Sequence, residues 1–213
     1  MRMRRKRNLD TRMEQCSHLL IEHPQELCGR WLEEFPFGEL HVEFGCGKGR
    51  FTVETAKTTP NVLLVAIERV ENVIVAAMER TEQNDLNNIR YICGLVDDID
   101  AFFSENEVSR IYLNFSDPWP ANRHIRRRLT HLRFLEMYKK MLAPGGEIHL
   151  KTDNLPLFEY SLNQFDRYGF SLSEVSHNLH EHGPVGIMTD YEKRFYEQGL
   201  PIFRCVAKVA IQG

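Results

Sequence analysis

No stretch of this 213-residue chain approaches the roughly 18 consecutive apolar residues that a membrane-spanning helix needs, so no membrane partner is expected. No Cys-x-x-Cys pair occurs, and the five cysteines (Cys16, Cys28, Cys46, Cys93 and Cys205) are odd in number. That pattern disfavours a disulfide framework and a thiolate zinc site, and a reducing cytoplasm fits it better. No Gly-Lys-Ser/Thr closes a phosphate loop, and no nucleophilic triad is evident. The histidines of "HNLHEH" (residues 177 to 182) lack a recognised zinc spacing, so no metal is expected. The basic start "MRMRRKRNLD" lacks the apolar stretch of a signal peptide. Its charge alone is compatible with an organelle presequence, but the segment is short and has no serine. It reads as a flexible basic tail over residues 1 to 12.

What is present is ordinary globular composition: 42% hydrophobic and 27% charged residues, without repeats or low-complexity linkers. The length suits one domain over residues 1 to 213, as a monomer or a homodimer. The net charge of -3 argues weakly against nucleic acid. Its distribution argues the other way. Residues 1 to 12 and 121 to 133 hold 11 of the 27 basic residues and 1 of the 30 acidic ones, leaving 16 basic against 29 acidic elsewhere. Positive charge segregated on an acidic protein is the footprint of a polyanion partner.

Apolar runs alternate with helical periodicity. Helices are expected over 11 to 34, with Leu19, Leu20, Leu27, Trp31 and Leu32 buried, then over 50 to 58 and over 71 to 84, with Val73, Ile74, Ala77 and Met78 on one face. Further helices are expected near 97 to 105, from a Thr130 cap to about 142, and from Pro156 to Gly169. Strands are expected at 39 to 44, 61 to 68, 89 to 93, 110 to 115, 147 to 153, 170 to 178 and 202 to 211. The last two have no clear helix between them and suit an antiparallel edge. This order predicts an α/β fold: a doubly wound, mostly parallel seven-stranded sheet behind an N-terminal helical extension.

Gly45, Gly47 and Gly49 in "VEFGCGKGRF" (42 to 51) follow the first strand and open a helix. Glycines let a ligand approach the backbone, and such a turn lies at the carboxyl edge where open α/β sheets bind ligands. Glu43 precedes the turn. Glu68 ends the second strand, where a carboxylate accepts from an adenosine ribose. This acidic lip suits a cationic nucleoside such as S-adenosylmethionine, with Glu43 toward its ammonium group. A nicotinamide cofactor and its oxidoreductase chemistry remain compatible, although the G-x-G-x-G spacing disfavours them. A non-catalytic RNA-binding module on the same fold is a third reading.

"NFSDPWPANRHIRRRLT" (114 to 130) starts at the end of the fourth strand and therefore faces the same edge. Pro118 and Pro120 stiffen the loop, Trp119 offers a flat face for a base, and Asp117 is a positioned carboxylate. The loop resembles the Asp-Pro-Pro-Tyr loop of amino-methylating enzymes, which leaves the methylated atom open. Arg123, Arg126 and Arg127 follow, suited to RNA phosphates.

These two segments, with "AIERVENVI", "LKTDN" (150 to 154) and "IMTDYEKRFYEQGLPIFR" (187 to 204), make the chain resemble the bacterial tRNA (guanine-N7-)-methyltransferase family nearly end to end. The resemblance implies a Rossmann-like class I methyltransferase fold, S-adenosyl-L-methionine as donor and a variable-loop guanine of tRNA as acceptor. It implies donor contacts at Glu43, Glu68 and Asp117, with Asp117 also catalytic, and tRNA contacts at Asp153, Thr189, Asp190, Tyr191 and Glu192. Two positions depart from the family. Ala121 stands where a lysine is usual, with Arg123 as its substitute. Leu95 stands where an acidic or amide residue is usual, with Asp97 or backbone amides to serve the adenine side.

Overall fold

A computed structural model describes residues 8–209; the basic segment 1 to 7 lies outside the described residues. Seven strands form one sheet: β1 Glu39–Phe44, β2 Val62–Glu68, β3 Ile89–Cys93, β4 Val108–Asn114, β5 Leu142–Thr152, β6 Phe170–Ser176 and β7 Phe203–Val209. Their order is β3-β2-β1-β4-β5-β7-β6. β1 to β5 run parallel, and β7 inserts antiparallel between β5 and β6. The expected antiparallel edge is present.

β-strand side chains alternate between faces, and the two faces carry separate cores. Val42, Val65, Ile111, Ile148 and their neighbours pack against α5 (Leu132–Met141) and α6 (Leu155–Arg167), through Phe134, Tyr138 and Phe158. On the other face, Leu64, Ala66 and Tyr91 pack against α3 (Arg50–Thr58) and α4 (Glu71–Glu82), through Val53, Ile74, Ala77 and Met78. Right-handed crossovers require this division: the chain winds one way from β1 to β3 and the other way from β4 to β5. The strand order therefore reverses between β1 and β4. At that seam the buried Glu43 carboxylate, 1% exposed, accepts from Thr52 Oγ1 of α3 at 2.5 Å and Asn114 Nδ2 of β4 at 3.1 Å. Burial raises its pKa above the ordinary 4.5, and the two hydrogen bonds oppose that rise.

Several local expectations change. Residues 11 to 34 are not one helix. α1 (Leu9–Gln15) and α2 (Trp31–Glu34) are separated by two short 3-10 turns, Ser17–Leu19 and Pro24–Leu27. Pro24 disfavours helix at the residue before it, and Gly29 takes a left-handed φ of 79°. The segment is still anchored. Trp31 is fully buried and donates Nε1 to the Phe102 carbonyl at 2.8 Å, and Leu20 bridges the β3 edge at Tyr91. In α4 the buried face includes Val75, while Val73 is only half-buried. Residues 96 to 101 form a 3-10 turn, not a helix over 97 to 105. The cap of α5 is His131, whose ring accepts from the Arg133 amide, and Thr130 is buried against Ser161. A seventh helix, α7 (Asp190–Glu197), lies between β6 and β7.

Gly49 starts α3 with φ 74°, and a Cβ there would fall 2.6 Å from Ala77 Cβ of α4. Gly49→Ala is expected to destabilise the fold by roughly 2–4 kcal/mol, combining a left-handed side chain with overpacking. Gly145→Ala has a similar φ of 78° but open space around its Cβ, so it should cost only about 1–2 kcal/mol. Urea unfolding measures both; equal losses would show that the α4 contact is not what demands glycine.

Glu43 provides a pH test. Because its folded pKa is raised, the fold loses stability as pH rises from the ordinary carboxylate value through the raised one. Glu43→Gln removes that loss. The melting temperature of the variant relative to the parent should therefore climb between pH 4 and pH 8. A difference independent of pH would mean that Glu43 is not held against its ionisation.

Candidate methyl-transfer site

The carboxyl ends of β1, β2, β4 and β5 deliver the glycine turn, Glu68, the Asp117 loop and Asp153 to one edge. Two cavities open there, of about 750 Å³ and about 490 Å³. They share Gly45, Asn114, Phe115, Ser116 and Asp117, so the loop after β4 forms the wall between them.

The first cavity is walled by Gly45, Glu68, Leu95, Val96, Asp97 and Phe134, among others. Gly45 and Gly47 have φ of 76° and 58°, and a Cβ on either would meet nothing within 4 Å. The turn thus presents bare backbone to open space. Glu68 holds it: one oxygen accepts from the Gly47 amide at 3.3 Å and the other from the Val70 amide at 3.1 Å. Asp97 reaches this wall, but its carboxylate is paired with Arg133 at 2.6 Å. Leu95, at the position departing from the family pattern, lies half-exposed beside it. A carboxylate at the β2 tip, an apolar wall and the bare backbone at Gly45 fit an adenosyl ligand. Glu43 does not lie on this wall. It forms the floor of the second cavity, with both oxygens engaged by Thr52 and Asn114.

The second cavity is lined by Lys48, Arg50, Asp153, Thr189, Asp190, Tyr191 and Arg194 as well as the shared loop. Tyr191 donates its hydroxyl to Asp153 Oδ2 at 3.3 Å, and its ring sits 5.1 Å from Phe115. Asp190 accepts from Arg80 at 3.1 Å and Arg50 at 3.5 Å, which docks α7 onto α3 and α4. Thr189 caps α7 in a capping box with Glu192. Glu192 does not reach the cavity. It is fully buried and accepts from Lys151 Nζ at 3.0 Å, and it hydrogen-bonds His180 Nε2 at 3.0 Å. Its expected contact with tRNA is thus replaced by a role inside the fold, because a carboxylate sealed among these partners has no surface to offer a polyanion. The Thr-x-x-Glu spacing at 189 to 192 is itself a helix-start signature, and it is the signal that could have revealed α7, which was not expected from the sequence.

In the dividing loop, Asp117 is exposed, and among the described residues no side chain or backbone group hydrogen-bonds its carboxylate. Trp119 borders the first cavity, but the Arg127 guanidinium already lies 4.8 Å over its ring and His124 meets it edge-on. Arg123, Arg126 and Arg127 are exposed. Two arginines of the same burst are engaged within the protein: partly exposed Arg133 pairs with Asp97, and buried Arg128 donates to the carbonyls of Pro118 and Trp119. Arg12, at the end of the expected basic tail, is a bidentate partner of Glu79 at 2.5 and 2.6 Å. Its charge is therefore neutralised within the fold.

All five cysteines are free, and among the described residues no group of His, Cys, Asp or Glu is placed to hold a metal ion. Among the same residues no helix is long and apolar enough to cross a membrane.

Residues 38–205 match the family model described as "Putative methyltransferase". A protein of Geobacillus sp. (strain WCH70) named tRNA (guanine-N(7)-)-methyltransferase is 44% identical over 210 residues, covering 98% of this chain and 96% of the relative. A Geobacillus kaustophilus (strain HTA426) protein of the same name is 44% identical over 209 residues, covering 97% and 96%. Among solved structures, the 16S rRNA methyltransferase KamB superposes with a TM-score of 0.61 at 14% identity, covering 82% of this chain and 89% of that one. A SAM-dependent methyltransferase from Aquifex aeolicus superposes at 0.57 with 16% identity, covering 92% and 98%. At such identities the structural likeness establishes the fold alone, and it is the class I methyltransferase fold that the family resemblance implied. The near-complete match to the Geobacillus proteins goes further and sets aside the nicotinamide reading: the chain belongs to the tRNA (guanine-N(7)-)-methyltransferase family.

Proposed function

We propose that this protein transfers the methyl group of S-adenosylmethionine to N7 of a variable-loop guanine in tRNA, acting in the cytoplasm as a single methyltransferase domain. The observation that carries this reading is Asp117: an exposed carboxylate without a protein partner, on the wall between two cavities, in a chain 44% identical to proteins named for that reaction.

S-adenosylmethionine supplies a methyl group activated by a sulfonium centre. Glu68 and the Gly45 backbone would hold its nucleoside, with Leu95, Val96 and Phe134 as the apolar wall; Gly49, expected at the ligand, is instead buried against Ala77 and lines neither cavity. Glu43, buried beneath Asn114, adds negative potential to the floor where the ammonium end belongs. The second cavity takes the ammonium end of the donor at its Glu43 floor and the guanine on its Asp153 and Tyr191 side. Asp153 and Tyr191 line it, and Asp190 and Thr189 set the position of Tyr191 by docking and capping α7.

Guanine N7 carries a lone pair and no proton, so the protein needs no general base. Its work is alignment and electrostatics. Positive charge grows on the base as the bond forms, and Asp117 is the negative group at that seam. The guanine N–H edge also offers donors to a carboxylate. Trp119, backed by Arg127, gives a flat apolar border, and Arg123, Arg126 and Arg127 are exposed for phosphates, with Arg126 and Arg127 at the rim of the first cavity.

Asp117→Asn keeps shape and removes charge. Single-turnover methyl transfer at saturating donor and tRNA should fall about a hundredfold to a thousandfold, while tRNA affinity, carried mainly by phosphate contacts, changes little. Mapping the methylated nucleoside of wild-type product identifies the atom. Product at any position other than guanine N7 would overturn the assignment, and an unchanged single-turnover rate would remove Asp117 from catalysis.

The inward and outward arginines separate in salt titrations. Arg126→Ala should reduce the slope of log affinity against log salt by about 1, whereas Arg12→Ala, already neutralised by Glu79, should leave it unchanged. Equal slopes for both variants would mean that the outward burst does not meet phosphate.

A further inference from the structure

The loop that carries Asp117 holds a conformation that its own sequence disfavours. Trp119 has φ 41°. A bulky side chain in the left-handed region is an outlier. Trp119 also precedes Pro120, whose ring drives the preceding residue toward extended backbone. Such a conformation persists where the surroundings over-determine it, and it clusters at functional sites.

Arg128 is what over-determines it. Its Nε donates to the Pro118 carbonyl at 2.9 Å and its Nη2 to the Trp119 carbonyl at 3.2 Å. Those oxygens belong to the peptide planes on either side of the Trp119 Cα, so one guanidinium sets both planes at once. The planar, fixed fork of arginine suits that task; the single point charge of lysine does not. The guanidinium is itself seated, 4.5 Å over the ring of Tyr160 on α6. It is only 8% exposed, with two of its donors turned into the loop, so it offers little to a phosphate despite lying in the arginine burst. Asp117 has no partner of its own, and its place is therefore set by the backbone that Arg128 holds.

We propose that Arg128 is a positioning residue for methyl transfer: seated on Tyr160, it clamps the Pro118–Trp119–Pro120 backbone and so aims the Asp117 carboxylate at the seam between the two cavities. The inference rests on the methyl-transfer reading of Asp117 and assigns Arg128 no contact with tRNA or donor.

The test compares Arg128→Lys, Arg128→Gln, Tyr160→Leu and Tyr160→Phe with the full-length parent. It measures single-turnover rate at saturating donor and tRNA, tRNA affinity across salt, and iodide quenching of tryptophan fluorescence. Arg128→Lys should lose roughly tenfold to a hundredfold in rate, the scale of a misaligned reacting group, with tRNA affinity within about twofold. Arg128→Gln should leave the salt slope unchanged, because the lost charge was not on phosphate. Quenching should rise in both, reporting a loosened Trp119, since Trp31 is fully buried. Tyr160→Leu should move rate and quenching the same way by a smaller factor, and Tyr160→Phe, which keeps the ring, should restore both. The Tyr160 pair keeps the test decisive if an Arg128 variant does not fold. A full rate in Arg128→Lys or in Tyr160→Leu would overturn the proposal. So would a salt slope flattened by about one in Arg128→Gln with the saturated rate intact, which marks a phosphate contact. If the parent itself fails to methylate tRNA, the functional reading falls, while the quenching series still decides whether Arg128 clamps the loop.

Discussion

The site is built outward from a carboxylate buried where the sheet changes direction. Glu43 accepts from Thr52 and Asn114, and so ties β1, the helix after it and β4 together at the point where crossovers leave for opposite faces. A crevice must open there, because no helix can cover the strand ends on both sides of a reversal. The glycine turn and the Asp117 loop are the two chain segments that leave β1 and β4 at that crevice. The parallel pairing of β1 with β4, up to Phe44 opposite Leu113, and this tie together set where the two segments start.

A second buried carboxylate organises the acceptor side. Glu192 joins Lys151 of β5 and His180 of the preceding loop to the first turn of α7. Removing one partner of such a buried group is costly because the others are left uncompensated. α7 has few apolar residues to hold it, so this polar anchor and the Asp190 pairs with Arg50 and Arg80 fix where Tyr191 stands. In both halves of the candidate site, the side chains left exposed at the cavities, Asp117 and Tyr191, are few, whereas the carboxylates beneath them, Glu43 and Glu192, are buried and partnered. Among the arginines, Arg128 is buried and Arg133 is paired with Asp97, while Arg123, Arg126 and Arg127 remain exposed.

The parallel sheet was legible because its central strands are buried on both faces and read as continuous apolar runs, of which "NVLLVAIE" is the clearest. The glycine turn and the Asp117 loop were legible because glycine and proline state backbone geometry directly. Less legible was whatever depended on partners distant in sequence. The single helix expected over 11 to 34 is broken at Pro24 and Gly29 into pieces that the sheet edge and Trp31 hold in place. α7 is short and strongly polar, so it was not expected from the sequence, although its capping box is a local sign of it.

By itself the sequence determined the strand order class, the ligand edge and the residue types gathered there, because periodicity, turn chemistry and crossover handedness are local or nearly local constraints. Only the tertiary structure decided which of two similar side chains stays accessible at the cavities and which is buried among protein partners. Glu68 and Glu43, Tyr191 and Glu192, Arg126 and Arg128 are pairs of this kind. A charge run in sequence carries no information about direction. Direction follows from burial, and burial follows from packing between segments such as α6 and the β4 loop, which lie tens of residues apart along the chain.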